Sequence, residues 1–249
     1  MENVCKVLVI GAGPAGIACA DALASRGHSV TIYEKDSAAG GLLNIIPSTR
    51  FNKNALKAML AKLDSKGVKI ECGKNIDIDN LAPYLEIFDY IVIATGAQMS
   101  VKLDIENPVC NNVMYAVDYL KSDIKSNDVA VIGGGNVAMD CAVEAVNRGG
   151  KATVYYRKDK CDMKANPKEI ALAEKCGVKF CFQTLDFNIP CDVMVIAIGQ
   201  KPDVPKAVLS DRIIAVGDAS TGPSTIADAI KHAKNAACLI NPCHSSNPV

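Results

Sequence analysis

The chain has 249 residues, 49% of them apolar, with 27 Lys and Arg against 27 Asp and Glu. That apolar content suits one large or two small packed domains and excludes a disordered chain. The balanced charge gives no reason to bind nucleic acid or an anionic membrane, and no apolar run approaches a bilayer span.

Lys6–Ile10 reads as a short apolar strand entering a glycine turn, with no cleavage site of a secretory signal behind it, so a soluble cytoplasmic protein is expected. Gly11, Gly13 and Gly16 then make a complete G-x-G-x-x-G, with Pro14 and Ala15 inside it, before an Ala-rich helix. Gly11 allows the tight turn, Gly13 lets the backbone approach a pyrophosphate, and Gly16 lets helix and strand pack closely. The pyrophosphate would sit against the positive end of the helix. A second strand, His28–Glu34, closes the βαβ unit. It ends in Glu34, 23 residues after Gly11, where a carboxylate can accept hydrogen bonds from ribose hydroxyls; Lys35 follows it. Tyr90–Gly96 reads as a buried strand that runs through Ala94 and Thr95 into Gly96.

The chain then repeats itself. Asp128–Ile132 is a strand, and Gly133, Gly135 and Ala138 make G-x-G-x-x-A, with Asn136 and Val137 opening the helix. The same 23-residue step from Gly133 lands on Tyr156 rather than an acid, and Arg157 and Lys158 come next. A carboxylate there would repel the 2′-phosphate of NADP, whereas a guanidinium pairs with it. The first turn is therefore expected to take FAD and the second NADPH. Asp192–Gly199 is the counterpart of Tyr90–Gly96. Finally Arg212–Asp218 leads through Thr221-Gly-Pro-Ser224 into a helix reaching about Leu239. After Gly217, Asp218 is placed to bond the ribityl chain of a flavin. The helix opening near Ser224 would turn its N–H groups toward the flavin C2 oxygen, and Thr225 beside it is also expected to bind cofactor. In the alternative reading Asp218 is an ordinary turn residue and Ser224 an ordinary N-cap.

These elements predict an α/β protein of two Rossmann-type dinucleotide-binding domains, the second inserted into the first. Residues 1–98 and 208–249 form the FAD-binding domain and 99–207 the NADPH-binding domain. Eleven cysteines are scattered without any C-x-x-C pair. They are expected to be free thiols in a reducing compartment, with no iron–sulfur cluster or other metal site; Cys176/Cys181 and Cys238/Cys243 are the closest pairs.

Taken in order, these motifs resemble the small (beta) subunit of NADPH-dependent glutamate synthase and its relatives, pyridine-nucleotide:flavin oxidoreductases with two Rossmann-type domains. The matching stretches are Val9–Ala20, Gly40-Gly-Leu-Leu43, Ile46-Pro47 with Arg50, Ala94–Ala97, Val131–Asp140, Tyr156-Arg157, Ala197–Gln200, and Gly217-Asp-Ala219 with Thr221–Thr225. The resemblance implies that Gly40, Gly41, Leu42 and the Ile46-Pro47 segment lie along the flavin. It also adds Arg50, Ala94, Thr95, Gly96 and Gly199 to the cofactor-binding residues. The chain departs from the pattern in places. The flavin motif starts almost at Met1, so the family's N-terminal iron–sulfur region is expected to be absent. The span from Gly177 to Asp192 is short, and Lys158 stands where a second arginine is usual.

The function these readings imply is hydride transfer from NADPH to FAD, followed by electron transfer to a protein acceptor or partner subunit, iron–sulfur or similar. No side chain is required as a catalytic group, because the cofactors carry the chemistry. Two other readings stay open: a disulfide reductase of the thioredoxin-reductase type, and a subunit that binds FAD or nucleotide without turnover.

Overall fold

The computed structural model describes residues 4–48, 50–105, 109–110 and 112–240. In chain order its elements are β1 (Lys6–Ile10), α1 (Pro14–Ser25), β2 (Ser29–Glu34), α2 (Lys53–Ser65), β3 (Lys69–Cys72), α3 (Ala82–Leu85), β4 (Tyr90–Ile93), β5 (Met99–Ser100) and β6 (Val113–Tyr115). They continue with α4 (Ala116–Lys121), β7 (Asp128–Ile132), α5 (Asn136–Asn147), β8 (Lys151–Tyr155), α6 (Pro167–Lys175), β9 (Lys179–Cys181), β10 (Val193–Ile196), β11 (Gln200–Lys201), β12 (Ile213–Ala215), α7 (Asp218–Thr221) and α8 (Ile226–Ala237). Among the described residues no helix is long and apolar enough to cross a membrane.

The chain divides into two compact units. One takes residues up to Asn44, Asn52–Met99 and the chain from Gln200 on; the other takes Ile45–Phe51 and Ser100–Gly199. Each is built on a five-stranded parallel sheet, in the order β12-β4-β1-β2-β3 in the first and β6-β10-β7-β8-β9 in the second. The central strands β1, β4, β7 and β10 are almost continuously apolar and buried, as strands covered on both faces must be. The doubly wound α/β class expected from the repeat is what the structure shows.

Register makes the repeat explicit. The N–H of Gly11 bonds the carbonyl of Tyr33, and the N–H of Gly133 bonds that of Tyr155. Glu34 and Tyr156 therefore hold equivalent places, one residue past those carbonyls. The fifth strand differs in origin. In the first unit it is β12, from the end of the chain, held by the Arg212 guanidinium, which donates to the carbonyls of Leu85, Phe88 and Asp89 at 2.8–2.9 Å. In the second unit it is β6, from the beginning of that unit.

Two stretches fall on the other side of the expected boundaries. The return to the first unit begins at Gln200 rather than 208, because Val204 and Val208 pack on the first unit's core around Ile91, Ile93 and Ile213. Ile45–Phe51, expected within the first domain, belongs to the second unit. Ile45 packs on its core, and the Arg50 guanidinium lies between Asp140 and Glu169, with its Nε 3.1 Å from the latter. The last nine residues of the expected first domain, with Cys243, lie outside the described residues.

Candidate functional site

Five helices among the described residues have nine residues or more, and their N-termini fall into two groups. α2, α6 and α8 are capped by side chains: Asn52 accepts from the N–H of Asn54, Asn166 from Lys168 and Thr225 from Asp228. α1 and α5 begin after Gly13 and Gly135 and have no side-chain cap. A helix start leaves its first N–H groups without intrahelical partners and carries partial positive charge, so an uncapped one suits an anion. The space in front of both is open. A Cβ built on Gly13 or on Gly135 meets no atom within 4 Å, and neither glycine has a positive φ. These two glycines are not demanded by the fold; they leave room for something beside it, as a bound pyrophosphate requires.

The other motif glycines are demanded by the fold. Gly11 has φ +106°, and a Cβ there would lie 2.5 Å from the carbonyl oxygen of Ala94. Gly133 has φ +144°, and its Cβ would meet the carbonyl oxygen of Ala197 more closely still. Gly16 abuts the carbonyl of Gly11, where a methyl group has no room. Ala94-Thr95-Gly96 and Ala197-Ile198-Gly199 thus lie beside their glycine turns in the same way.

Around the first turn the structure brings together most of the expected residues. Glu34 is buried. One carboxylate oxygen accepts the N–H of Ala12 at 2.7 Å and the other that of Asp36 at 2.9 Å. These bonds hold the carboxylate beside the turn and leave lone pairs for ribose hydroxyls. Lys35 is exposed, and its Nζ donates to Oε1 of Gln98, whose amide in turn donates to the carbonyl of Thr95. The N–H of Gly40 bonds the carbonyl of Ala12, and Gly41 comes so near Gly13 that a Cβ would be 3.0 Å from its Cα; the adjoining Leu42 is exposed. Gly217 closes the group against α1, since a Cβ there would lie 2.5 Å from that of Ala15. Asp218 is partly buried, and its Oδ1 accepts both the N–H (3.1 Å) and the hydroxyl (2.6 Å) of Ser224. Burial pushes the Asp218 carboxyl up from its ordinary range, against the pull of the Ser224 hydrogen bonds. This group fits a flavin adenine dinucleotide: open space at the helix start, a held carboxylate at the strand end and a second carboxylate at the far turn.

Two expectations need correction here. Ser224 is not the N-cap of the alternative reading. Thr225 caps α8, and the Ser224 hydroxyl is committed to Asp218, so one N–H at the α8 start is already taken by the Thr225 side chain. Arg50 is committed to Asp140 and Glu169 and stands in the second unit rather than with the first turn. Asp140 is 4% exposed. Its carboxyl is raised by burial and held down by the Arg50 hydrogen bond, so the guanidinium is the counter-charge that makes its burial tolerable.

Around the second turn the ring of Tyr156 lies across Gly134; a Cβ there would be 2.6 Å from a ring carbon. The Tyr156 hydroxyl donates to the carbonyl of Asp162. The N–H of Ala165 bonds the carbonyl of Gly134, and that of Asn166 bonds Oδ1 of Asn136, so the loop after β8 is folded back onto the turn. Val137 packs into the second core. β8 ends at Tyr155, so strand alternation no longer forces Arg157 and Lys158 to opposite faces. Both are exposed, and among the described residues neither side chain forms an ion pair or hydrogen bond. Two exposed cations on the bend after Tyr156, in the same unit as an uncapped helix start, fit a nucleotide carrying an extra phosphate. The sequence motif had marked Gly133 and Gly135 but not Gly134. The signal was there in the run of three glycines, and the reason for it is the Tyr156 ring.

The cysteines that follow the two motifs are inert in character. Cys19 and Cys141 are both fully buried, and burial pushes the Cys19 thiol up to about 12 and the Cys141 thiol well above its ordinary value.

A family model described as pyridine nucleotide-disulphide oxidoreductase matches residues 5–185. NADP(+)-dependent formate dehydrogenase subunit beta of Moorella thermoacetica is 31% identical to this chain over 90% of its length. The glutamate synthase [NADPH] small chain of Bacillus subtilis (strain 168) is 37% identical over 61% of it. The chain spans 39% and 35% of the lengths of these two relatives. A solved 2-naphthoyl-CoA reductase complex superposes with a TM-score of 0.80 at 26% identity, covering 97% of this chain and 41% of that one. The chain belongs to the pyridine nucleotide-disulphide oxidoreductase family.

Proposed function

We propose that this member of the pyridine nucleotide-disulphide oxidoreductase family binds FAD at the Gly11 turn and NADPH at the Gly133 turn, and passes electrons from one to the other and on to a partner protein. The observation that carries this reading is the pair of uncapped helix starts, each behind a glycine that faces open space, in a fold where the other long helices among the described residues are capped. When bound, the nucleotide supplies hydride and the flavin takes it up and releases electrons to an acceptor.

The chain's own residues sort the two dinucleotides. At the first strand end the buried Glu34 carboxylate accepts ribose hydroxyls and excludes a 2′-phosphate by charge. At the second, Tyr156 removes that carboxylate, and Arg157, with Lys158 beside it, offers positive charge to a 2′-phosphate. Asp218, held by Ser224, presents its other oxygen to the ribityl hydroxyls. Both relatives named above are, by their names, subunits or chains of larger enzymes, which supports a protein acceptor, iron–sulfur or similar.

The purified protein should be yellow, and the cofactor released by heat should chromatograph as FAD at about one per chain. A colourless protein that stays apo in excess FAD sinks the reading. Steady-state NADPH oxidation with an artificial acceptor separates an enzyme from a subunit that only holds cofactor. A disulfide reductase is separated by what reoxidises its flavin: the NADPH-reduced protein should not be reoxidised by a disulfide substrate, and rapid reoxidation that is lost in a folded, FAD-loaded Cys→Ala variant would favour that rival.

A further inference from the structure

We infer that His232 is a positioning residue of the first site, holding the Gly217–Asp218 turn through its Nδ1; the inference rests on the FAD reading above. β12 ends at Ala215. The N–H of Val216 still bonds the carbonyl of Ile93 at 2.9 Å, as the last rung between this stretch and β4. At Gly217 the chain turns away, with φ +60° and ψ −145°, a conformation essentially reserved for glycine. That turn swings the Gly217 N–H off the ladder while the residue stays buried. A buried N–H without a partner costs free energy comparable to a lost hydrogen bond. Its partner is the His232 Nδ1, at 3.0 Å.

His232 stands two turns into α8, whose Ala229 packs beside Gly217, 3.6 Å from where a Cβ would lie. To accept, the ring must be neutral at Nδ1 and carry its proton on Nε2. The turn is therefore anchored on both sides: His232 takes the N–H of Gly217, and Ser224 donates to the carboxylate of Asp218. Ser224 reaches the side chain and is itself exposed on a connecting segment; His232 reaches the backbone from a packed helix. An apolar side chain at 232 would fill the space and leave the N–H orphaned, so the backbone would have to shift, carrying Asp218 away from the ribityl position. In that account His232 sets FAD affinity without touching FAD.

The test uses the full chain stripped of cofactor. FAD affinity is read by quenching of flavin fluorescence, and the Gly217 amide by hydrogen exchange in the apo protein. His232→Ala should weaken FAD about tenfold, the effect of one buried hydrogen bond, and should strip protection from the Gly217 amide. His232→Asn, whose Oδ1 occupies the place of Nδ1, should restore most of both. His232→Gln keeps the helix and the bulk but puts its acceptor one bond further out, so it should behave like the Ala variant and stands in for it should that variant fail to fold. NADPH affinity should not move in any of them. Wild-type FAD binding together with unchanged binding in the Ala and Gln variants overturns the inference alone. A wild-type chain that binds no FAD overturns the cofactor reading and this inference with it.

Discussion

At the end of its second strand the first unit places the carboxylate of Glu34, and at the equivalent point the second unit places the ring of Tyr156. The difference spreads into the turn each faces. Glu34 accepts the N–H of Ala12, and residue 12 carries a methyl group there. The broad Tyr156 ring lies flat over the turn, so the residue equivalent to Ala12 is Gly134. The third motif position diverges too. Gly16 is pressed on the Gly11 carbonyl, whereas Ala138 is tolerated, fully buried, at the matching place on α5. The two units differ at three matching positions. The residues that change are those that touch the strand end or set the helix distance, while Gly13 and Gly135, where an added Cβ would meet no atom within 4 Å, stay the same.

The largest test of this comparison exchanges those silent glycines. Gly13→Val and Gly135→Val each put a branched side chain into open space, so both variants should fold and melt near wild type. Gly13→Val should lose FAD by roughly a hundredfold or more, since the side chain displaces the pyrophosphate from its hydrogen bonds. Gly135→Val should keep FAD and lose flavin reduction by NADPH. Titration of each variant with both ligands checks the pairing, and loss of FAD from the Gly135 variant would break the assignment of one site to each cofactor.

Arg157→Ala tests the strand-end difference. A charge-assisted bond to a 2′-phosphate is worth roughly 1.5–3 kcal/mol, or about ten- to a hundredfold in affinity. Stopped-flow flavin reduction should show weaker NADPH binding in the variant and unchanged NADH binding. Equal losses for both nucleotides would mean that Arg157 acts elsewhere than on the phosphate. Lys158, a strongly hydrated ammonium on an exposed bend, should contribute less.

The smallest effect concerns the third motif position. Gly16→Ala forces a methyl group against the Gly11 carbonyl and should destabilise the chain by about 1–3 kcal/mol, the usual range for overpacking. Ala138→Gly makes the reverse change in the second unit without any clash and should cost only about 1 kcal/mol, the helix-interior penalty of glycine. Chemical denaturation of both variants measures the asymmetry, and equal losses would show that the two helices approach their strands alike.

Much of the fold was legible because its signals are local. Apolar strands running into glycine turns, helices rich in alanine and a 23-residue step to the strand end all lie within one βαβ unit. Less of the candidate site was legible. Arg50 was assigned to a cofactor from its place in a matching stretch, but its guanidinium is claimed by Asp140 and Glu169, which lie 90 and 119 residues further on. Ser224 and Thr225 are neighbours with nearly the same chemistry. Which one caps α8 depends on where Asp218 stands, six residues upstream of Ser224.

By itself the sequence determined the two dinucleotide folds, the order of their strands' residues and the contrast of Glu34 with Arg157, since each of these is written in short-range pattern and charge. Only the tertiary structure decided which glycines face open space and which make room for the protein. Gly11, Gly13 and Gly16 are one motif on the page, but Gly11 and Gly16 are pressed against backbone carbonyls and Gly13 faces open space. The structure also decided that His232 meets the Gly217 N–H. Its partner N–H is exposed by a turn in a distant segment, and no pattern along α8 marks the residue that must meet it.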